Sequence, residues 1–196
     1  DILDYSKIEA GKFTIEQIPF DLRMTIEDTL DILAPTAQGR QLELVGLIDA
    51  QTPRTVIGDP GRIRQILTNL VGNAIKFTDQ GEIHLEISKN PWPDRKGNLF
   101  FTVKDTGIGI APDQFENLFQ PFSQANHSKQ LKIQGTGLGL FISKKLSEIM
   151  GGELWATSIP NKGSEFNFTL SLPLVENNHT TIGSTEKQYV PTNLQS

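Results

Sequence analysis

Apolar and polar positions along the chain follow two different periods. The clearest helical period comes after Asp59-Pro60, where Ile63, Ile66, Leu67, Leu70, Val71 and Ala74 form one stripe. Asp59 suits an N-cap and Pro60 a first turn, so the helix start is marked twice. A second helix is predicted from the Asp21 cap to about Gln38, carrying Leu22, Ile26, Leu30 and Leu33. A third runs from Leu138 to Met150 and stops at Gly151-Gly152. Residues Asp1 to Ala10 read as the end of a helix with Ile2, Tyr5 and Ile8 on one stripe and Gly11 as its stop, and Pro112 opens a short helix. Strands are predicted over Lys12–Phe20, Leu42–Ile48, Thr55–Ile57, Gly81–Ser88, Leu99–Lys104, Glu153–Ser158 and Ser164–Leu172. Three strand pairs look like hairpins. The order of elements points to an α/β sandwich, one mixed sheet with helices on one face. Residues Gln120 to Gly135 are polar and irregular, long enough for a functional loop. Beyond Pro173 the chain turns to Asn, Thr, Ser and Gln, a linker composition. The expected organisation is 1–11 as a helix end, 12–174 as the main domain and 175–196 as a flexible linker or tail. No internal repeat is visible.

Composition narrows the function classes. With 196 residues and 37% hydrophobic content, the chain can build one ordinary core. A formal net charge of -5 argues against a general grip on nucleic acid or anionic lipid, which needs clustered Lys and Arg. The absence of cysteine excludes disulfides, thiol catalysis and thiolate metal sites. No apolar run approaches the ~20 residues of a membrane span, so this segment is expected to make no membrane contact and to sit in the cytoplasm. Asp1 reads as the interior of a longer protein, in which any membrane anchor would lie elsewhere.

Three groups of residues could carry chemistry. Asn69, Asn73 and Lys76 share a face of the Asp59 helix, pointing roughly away from the apolar stripe. That face is either solvated or a polar wall over a ligand: Asn oxygens suit a hard cation such as Mg²⁺, and a Lys suits phosphate. Asp105-Thr106-Gly107-Ile108-Gly109-Ile110 follows a predicted strand. It is either an ordinary strand-to-helix turn or a ligand loop in which glycines allow close backbone approach and the Asp accepts a bond from an exocyclic amine. Gly135-Thr136-Gly137-Leu138-Gly139-Leu140 opens the last helix, where free N–H groups and the helix dipole favour phosphate. It lacks the GKS/GKT ending of a P-loop and the strand and acidic partner of a dinucleotide fingerprint.

Taken together, NLVGNAIKFT (Asn69 to Thr78), DTGIGI (Asp105 to Ile110), LFQPFSQ (Leu118 to Gln124) and GTGLGLFISKKLSEIMGG (Gly135 to Gly152) occur in one order. They resemble the N, G1, F and G2 boxes of sensor histidine kinases. The opening DILDYSKIEAGK resembles the end of the dimerisation helix that precedes this domain in such kinases, most of all in the hybrid subgroup, where a receiver domain follows. The likeness covers Asp1 to about Leu174.

The resemblance implies the Bergerat ATP-binding fold, a two-layer α/β (α+β) sandwich with a mixed, mainly antiparallel sheet. It implies ATP and Mg²⁺ as ligands and a protein-histidine kinase of two-component signalling as the activity. On that basis Asn73 is the Mg²⁺ ligand and Asn69 stands where related ATPases keep a water-activating Glu. Lys76 meets the phosphates; Asp105 binds the adenine amine, with Gly107, Gly109 and Ile110 around it. Phe119 and Phe122 anchor an ATP lid, a role compatible with their being plain core aromatics. Lys132 in the lid contacts phosphate, and Gly135, Thr136, Gly137, Leu138, Gly139 and Leu140 form the phosphate cradle. Relatives often carry an aromatic and a Gly where this chain has Ile133 and Gln134. The implied partners are the dimerisation and phosphoacceptor domain of its own homodimeric protein and a response-regulator receiver domain. The three histidines, His84, His127 and His179, all lack the acceptor context His-Glu/Asp-x-x-x-Pro, so the acceptor is expected outside this chain. Two other readings stay open: a non-catalytic nucleotide-binding signalling module, and an ATPase of the same superfamily.

Overall fold

The computed structural model describes residues 1–123 and 136–175 and the backbone of Lys187–Val190. Its centre is a six-stranded sheet in the order β6-β7-β5-β4-β2-β8. Strands β2 (Glu43–Asp49) and β4 (Glu82–Lys89) run parallel. Every other pairing is antiparallel, through β5 (Leu99–Asp105), β6 (Leu154–Ile159), β7 (Gly163–Leu170) and β8 (Lys187–Val190). Of the expected hairpins, β4–β5 and β6–β7 form. Strand β3 (Thr55–Gly58) instead leaves the main sheet and pairs with β1 (Ile18–Asp21).

Alternation decides which face is covered. In β4, Ile83, Leu85 and Ile87 are buried while His84, Glu86 and Ser88 are half-buried; in β5, Leu99, Phe101 and Val103 are buried. Helices α2 (Leu22–Gly39), α3 (Pro60–Phe77) and α5 (Gly139–Ile149) cover that apolar face. The mixed, mostly antiparallel sandwich is therefore as expected.

The helix starts form where the caps place them. Asp21 Oδ1 accepts from the Met24 N–H at 2.9 Å, and Asp59 Oδ1 accepts from the Arg62 N–H at 3.0 Å. The second Asp59 oxygen takes the Glu16 N–H at 3.1 Å. That bond helps explain one departure: a strand was expected over Lys12–Phe20, yet β1 begins only at Ile18. Its partner β3 has four residues, so the ladder ends after four pairs. A second departure lies in the segment expected as a linker, where β8 adds to the open edge of β2. An edge strand offers unpaired backbone groups to any extended segment, whatever its composition. Two short helices complete the fold, α1 (Ile2–Glu9) and α4 (Pro112–Phe115).

Candidate functional site

Helix α3 and the N-terminal end of α5 frame a groove of about 540 Å³. Asn69 and Asn73, one turn apart, line it with Gly139 and Ser143 of α5. These Asn side chains thus face a neighbouring helix across a groove rather than open solvent. The Asn69 Nδ2 donates to Ser143 Oγ at 2.8 Å, which fixes the amide's orientation. A side chain at Gly139 would run into that amide, so the glycine is what lets α5 start this close to α3. Lys76 sits one turn beyond Asn73, outside the groove lining. Partial burial pushes its ammonium pKa down, and its Nζ lies 5.4 Å from the Phe77 ring centre.

The second half of the site lies at the C-terminal end of α3. Asp105 closes β5 and is 5% exposed. Its Oδ1 accepts from the Gly107 N–H at 2.8 Å and the Ser164 N–H at 3.2 Å. Burial pushes its carboxyl above the ordinary range, against the pull of those two bonds. The loop after Asp105 is stitched on both sides. Ile108 N–H donates to the Phe77 carbonyl at 3.2 Å, and Asn161 N–H donates to the Ile108 carbonyl at 2.7 Å. Ile110 N–H donates to Ser158 Oγ at 2.9 Å. Gly109 has φ +68°, and a side chain there would meet Ile159 and Pro160 backbone atoms at 2.9–3.0 Å. Thr78 is fully buried beside this loop, and its hydroxyl has no hydrogen-bond partner among the described residues.

The expected phosphate cradle is described from Thr136 onward; Gly135, Lys132, Ile133 and Gln134 lie outside the described residues, as do most of the lid and the histidines His127 and His179. Gly137 takes φ +70°, packed where a side chain would meet Phe122 and Ser123 backbone at 2.9 Å. Leu138 is buried, and its N–H donates to Thr136 Oγ1 at 3.3 Å. Leu140, Ile110 and Phe119 are half-buried against the core, and Lys144 Nζ lies 5.3 Å over the Phe119 ring. Phe122 remains 60% exposed.

Helix α1 joins the site, which its apolar stripe alone did not announce. Tyr5 packs edge-on to Phe122, ring centres 5.4 Å apart, and against Phe141 of α5 at 5.5 Å. Asp4 Oδ2 accepts from Gln65 Nε2 at 2.8 Å, and Asp1 Oδ2 from Thr136 Oγ1 at 3.3 Å. The serines Ser143, Ser158 and Ser164 were also missed; each lies far in sequence from the group it serves.

The chain matches a known family. Residues 58–175 match the model of the histidine kinase-, DNA gyrase B- and HSP90-like ATPases. The chain belongs to this ATPase family. Across 173 residues, 88% of the chain, it is 52% identical to Sensor protein GacS of Pseudomonas syringae pv. syringae. It is 46% identical over 177 residues, 90% of the chain, to the signal transduction histidine-protein kinase BarA of Escherichia coli (strain K12). The chain spans 19% of the length of each of these two relatives. Among solved structures it resembles full-length ShkA in complex with AMPPNP, with a TM-score of 0.77 and 30% identity over 90% of this chain and 35% of that one. The catalytic domain of histidine kinase ThkA gives 0.64 and 26%, over 80% of this chain and 95% of that one. The Bergerat sandwich expected from the four boxes is the fold of this ATPase domain.

Proposed function

We propose that this domain binds ATP with Mg²⁺ and is the catalytic part of a protein-histidine kinase in two-component signalling, transferring the γ-phosphoryl to a histidine outside the chain. The observation that carries this reading is the pairing of a buried Asp105 with a groove walled by Asn69 and Asn73 along one helix. A purine base seated at Asp105 places its phosphates along α3 toward the two asparagines. The Asp105 carboxylate accepts from the exocyclic amine, and Gly107 keeps a side chain from crowding that carboxylate.

The donor set suits Mg²⁺. Among the described residues no group of three His, Cys, Asp or Glu side chains could hold a metal by itself. One amide oxygen, from Asn73, is what an ion that also takes phosphate oxygens requires, and the bound ion would offset phosphate charge. Asn69 is held by Ser143, and an amide cannot serve as a general base. That disfavours activation of water and favours transfer to a nucleophile brought in by a partner. Lys76, partly buried one turn beyond Asn73, adds positive charge near the phosphates. Catalysis then rests on positioning and electrostatics. The partners this reading calls for are the dimerisation and phosphoacceptor domain of a homodimer and a receiver domain bearing an acceptor Asp.

The test is to mix the chain with ATP, Mg²⁺ and a separately made dimerisation domain bearing the acceptor histidine. Phosphohistidine is expected. Free phosphate alone would mean an ATPase, and ATP binding with no product would mean a non-catalytic nucleotide-binding module.

A further inference from the structure

Arg64 has no role in the site as assigned so far. It lies on the α3 stripe that lines the groove and is, among the described residues, the one basic side chain there. Its Nε is buried from water and has no hydrogen-bond partner among the described residues. Its outer nitrogen makes a stretched 3.8 Å pairing with Asp28 Oδ2 of α2, a carboxylate that is itself 56% exposed. A desolvated cationic N–H without an acceptor is unfavourable until an acceptor arrives, and so loose an exposed pair offers little to hold the guanidinium in place.

Direction along α3 says what that acceptor is. Asp105 lies by the C-terminal end of the helix, where Ile108 bonds to Phe77. Asn73, Asn69 and Arg64 follow in that order toward the N-terminus. Arg64 is five residues from Asn69, roughly 7.5 Å along the axis, a span an extended arginine side chain covers. A nucleotide with its base at Asp105 therefore brings its outermost phosphate nearest to Arg64. The flat, forked guanidinium matches two phosphoryl oxygens at once.

We propose that Arg64 is a further catalytic residue, releasing Asp28 to grip the terminal phosphoryl oxygens of the bound nucleoside triphosphate. This rests on the nucleotide-binding reading above. A diphosphate lacks the group that Arg64 reaches, so the residue discriminates ATP from ADP.

The test is titration calorimetry of the 196-residue chain with ATP and with ADP, both with Mg²⁺. Arg64→Met keeps the stem and removes the charge. It is expected to weaken ATP binding by about tenfold and to leave ADP within about twofold, with the nucleotide-free melting temperature unchanged. Arg64→Lys should fall between Arg64→Met and wild type, and Asp28→Asn should tighten ATP binding by about twofold without changing ADP. An ATP-to-ADP ratio in Arg64→Met equal to wild type overturns the assignment while leaving nucleotide binding intact. So does a loss of both affinities together with a lowered melting temperature, which would mark a structural role. Failure of the wild-type chain to bind either nucleotide would instead overturn the nucleotide reading, and this proposal with it.

Discussion

The two ends of the site are built from different material. At the Asp105 end, backbone does the work. The loop through Gly107 and Gly109 is tied to the end of α3 and to Asn161 of the β6–β7 turn by main-chain bonds, and neither glycine has space for a side chain. At the Asn69 end, side chains do the work: two amides, a serine and an arginine around an open groove, with α1 leaning on its rim through Asp1, Asp4 and Tyr5. Changes at the first end should therefore act on folding as well as binding. Changes at the second should act on function with the fold intact.

The largest expected effect is at the groove. Asn73→Ala should abolish phosphoryl transfer to the supplied dimerisation domain, measured by radiolabel, while leaving the melting temperature within experimental scatter. Retained activity would remove Asn73 from the metal site, and a collapsed melting curve would break the contrast between the two ends.

Next is Gly109→Ala. It forces a side chain into φ +68° against backbone 2.9–3.0 Å away, so a stability loss of about 2 kcal/mol or more is expected by urea denaturation. Gly139→Ala, whose added carbon meets the Asn69 side chain instead, should cost nucleotide affinity more than stability.

Asp105→Asn sharpens the comparison, because it should separate the two quantities at the backbone-built end. An amide can still accept from Gly107 and Ser164, but it offers a donor where the adenine amine also donates. ATP affinity should fall by about tenfold to a hundredfold, and preference should move toward GTP. Stability should move the other way. Burial raises the Asp105 pKa in the folded state, so the native protein resists ionisation and loses stability as pH climbs through that raised value. The advantage of Asn over Asp should therefore be absent below the ordinary carboxyl pKa of 3.8 and grow toward neutrality. A stability gain that shrinks with rising pH would contradict this.

The smallest effect is expected at the rim. Tyr5→Ala removes two aromatic contacts and should cost about 1 kcal/mol, read from denaturant midpoints.

Much of this was legible in the chain itself. The Asp59-Pro60 cap and the apolar stripe of α3 are local patterns, and the helix forms where they place it. The asparagines stand one turn apart because the helical period puts them there. The order of the four boxes was enough to expect the ATPase sandwich. What local pattern could not supply are contacts between segments far apart: Ser143 reaching Asn69 across 74 residues, Ser164 reaching Asp105 across 59, and Asp4 reaching Gln65 across 61. Each depends on how strands register and how helices settle on the sheet, and a serine's own neighbours carry no trace of that. The same holds for β8, whose pairing is set by the open edge of β2. By itself the sequence determined where the helices start and which side chains share a helical face, because helix periods, caps and glycine turns are written in neighbouring positions. Only the tertiary structure decided which of them meet, how deeply Asp105 is buried, and that α1 and Arg64 share the groove, because those follow from packing between elements.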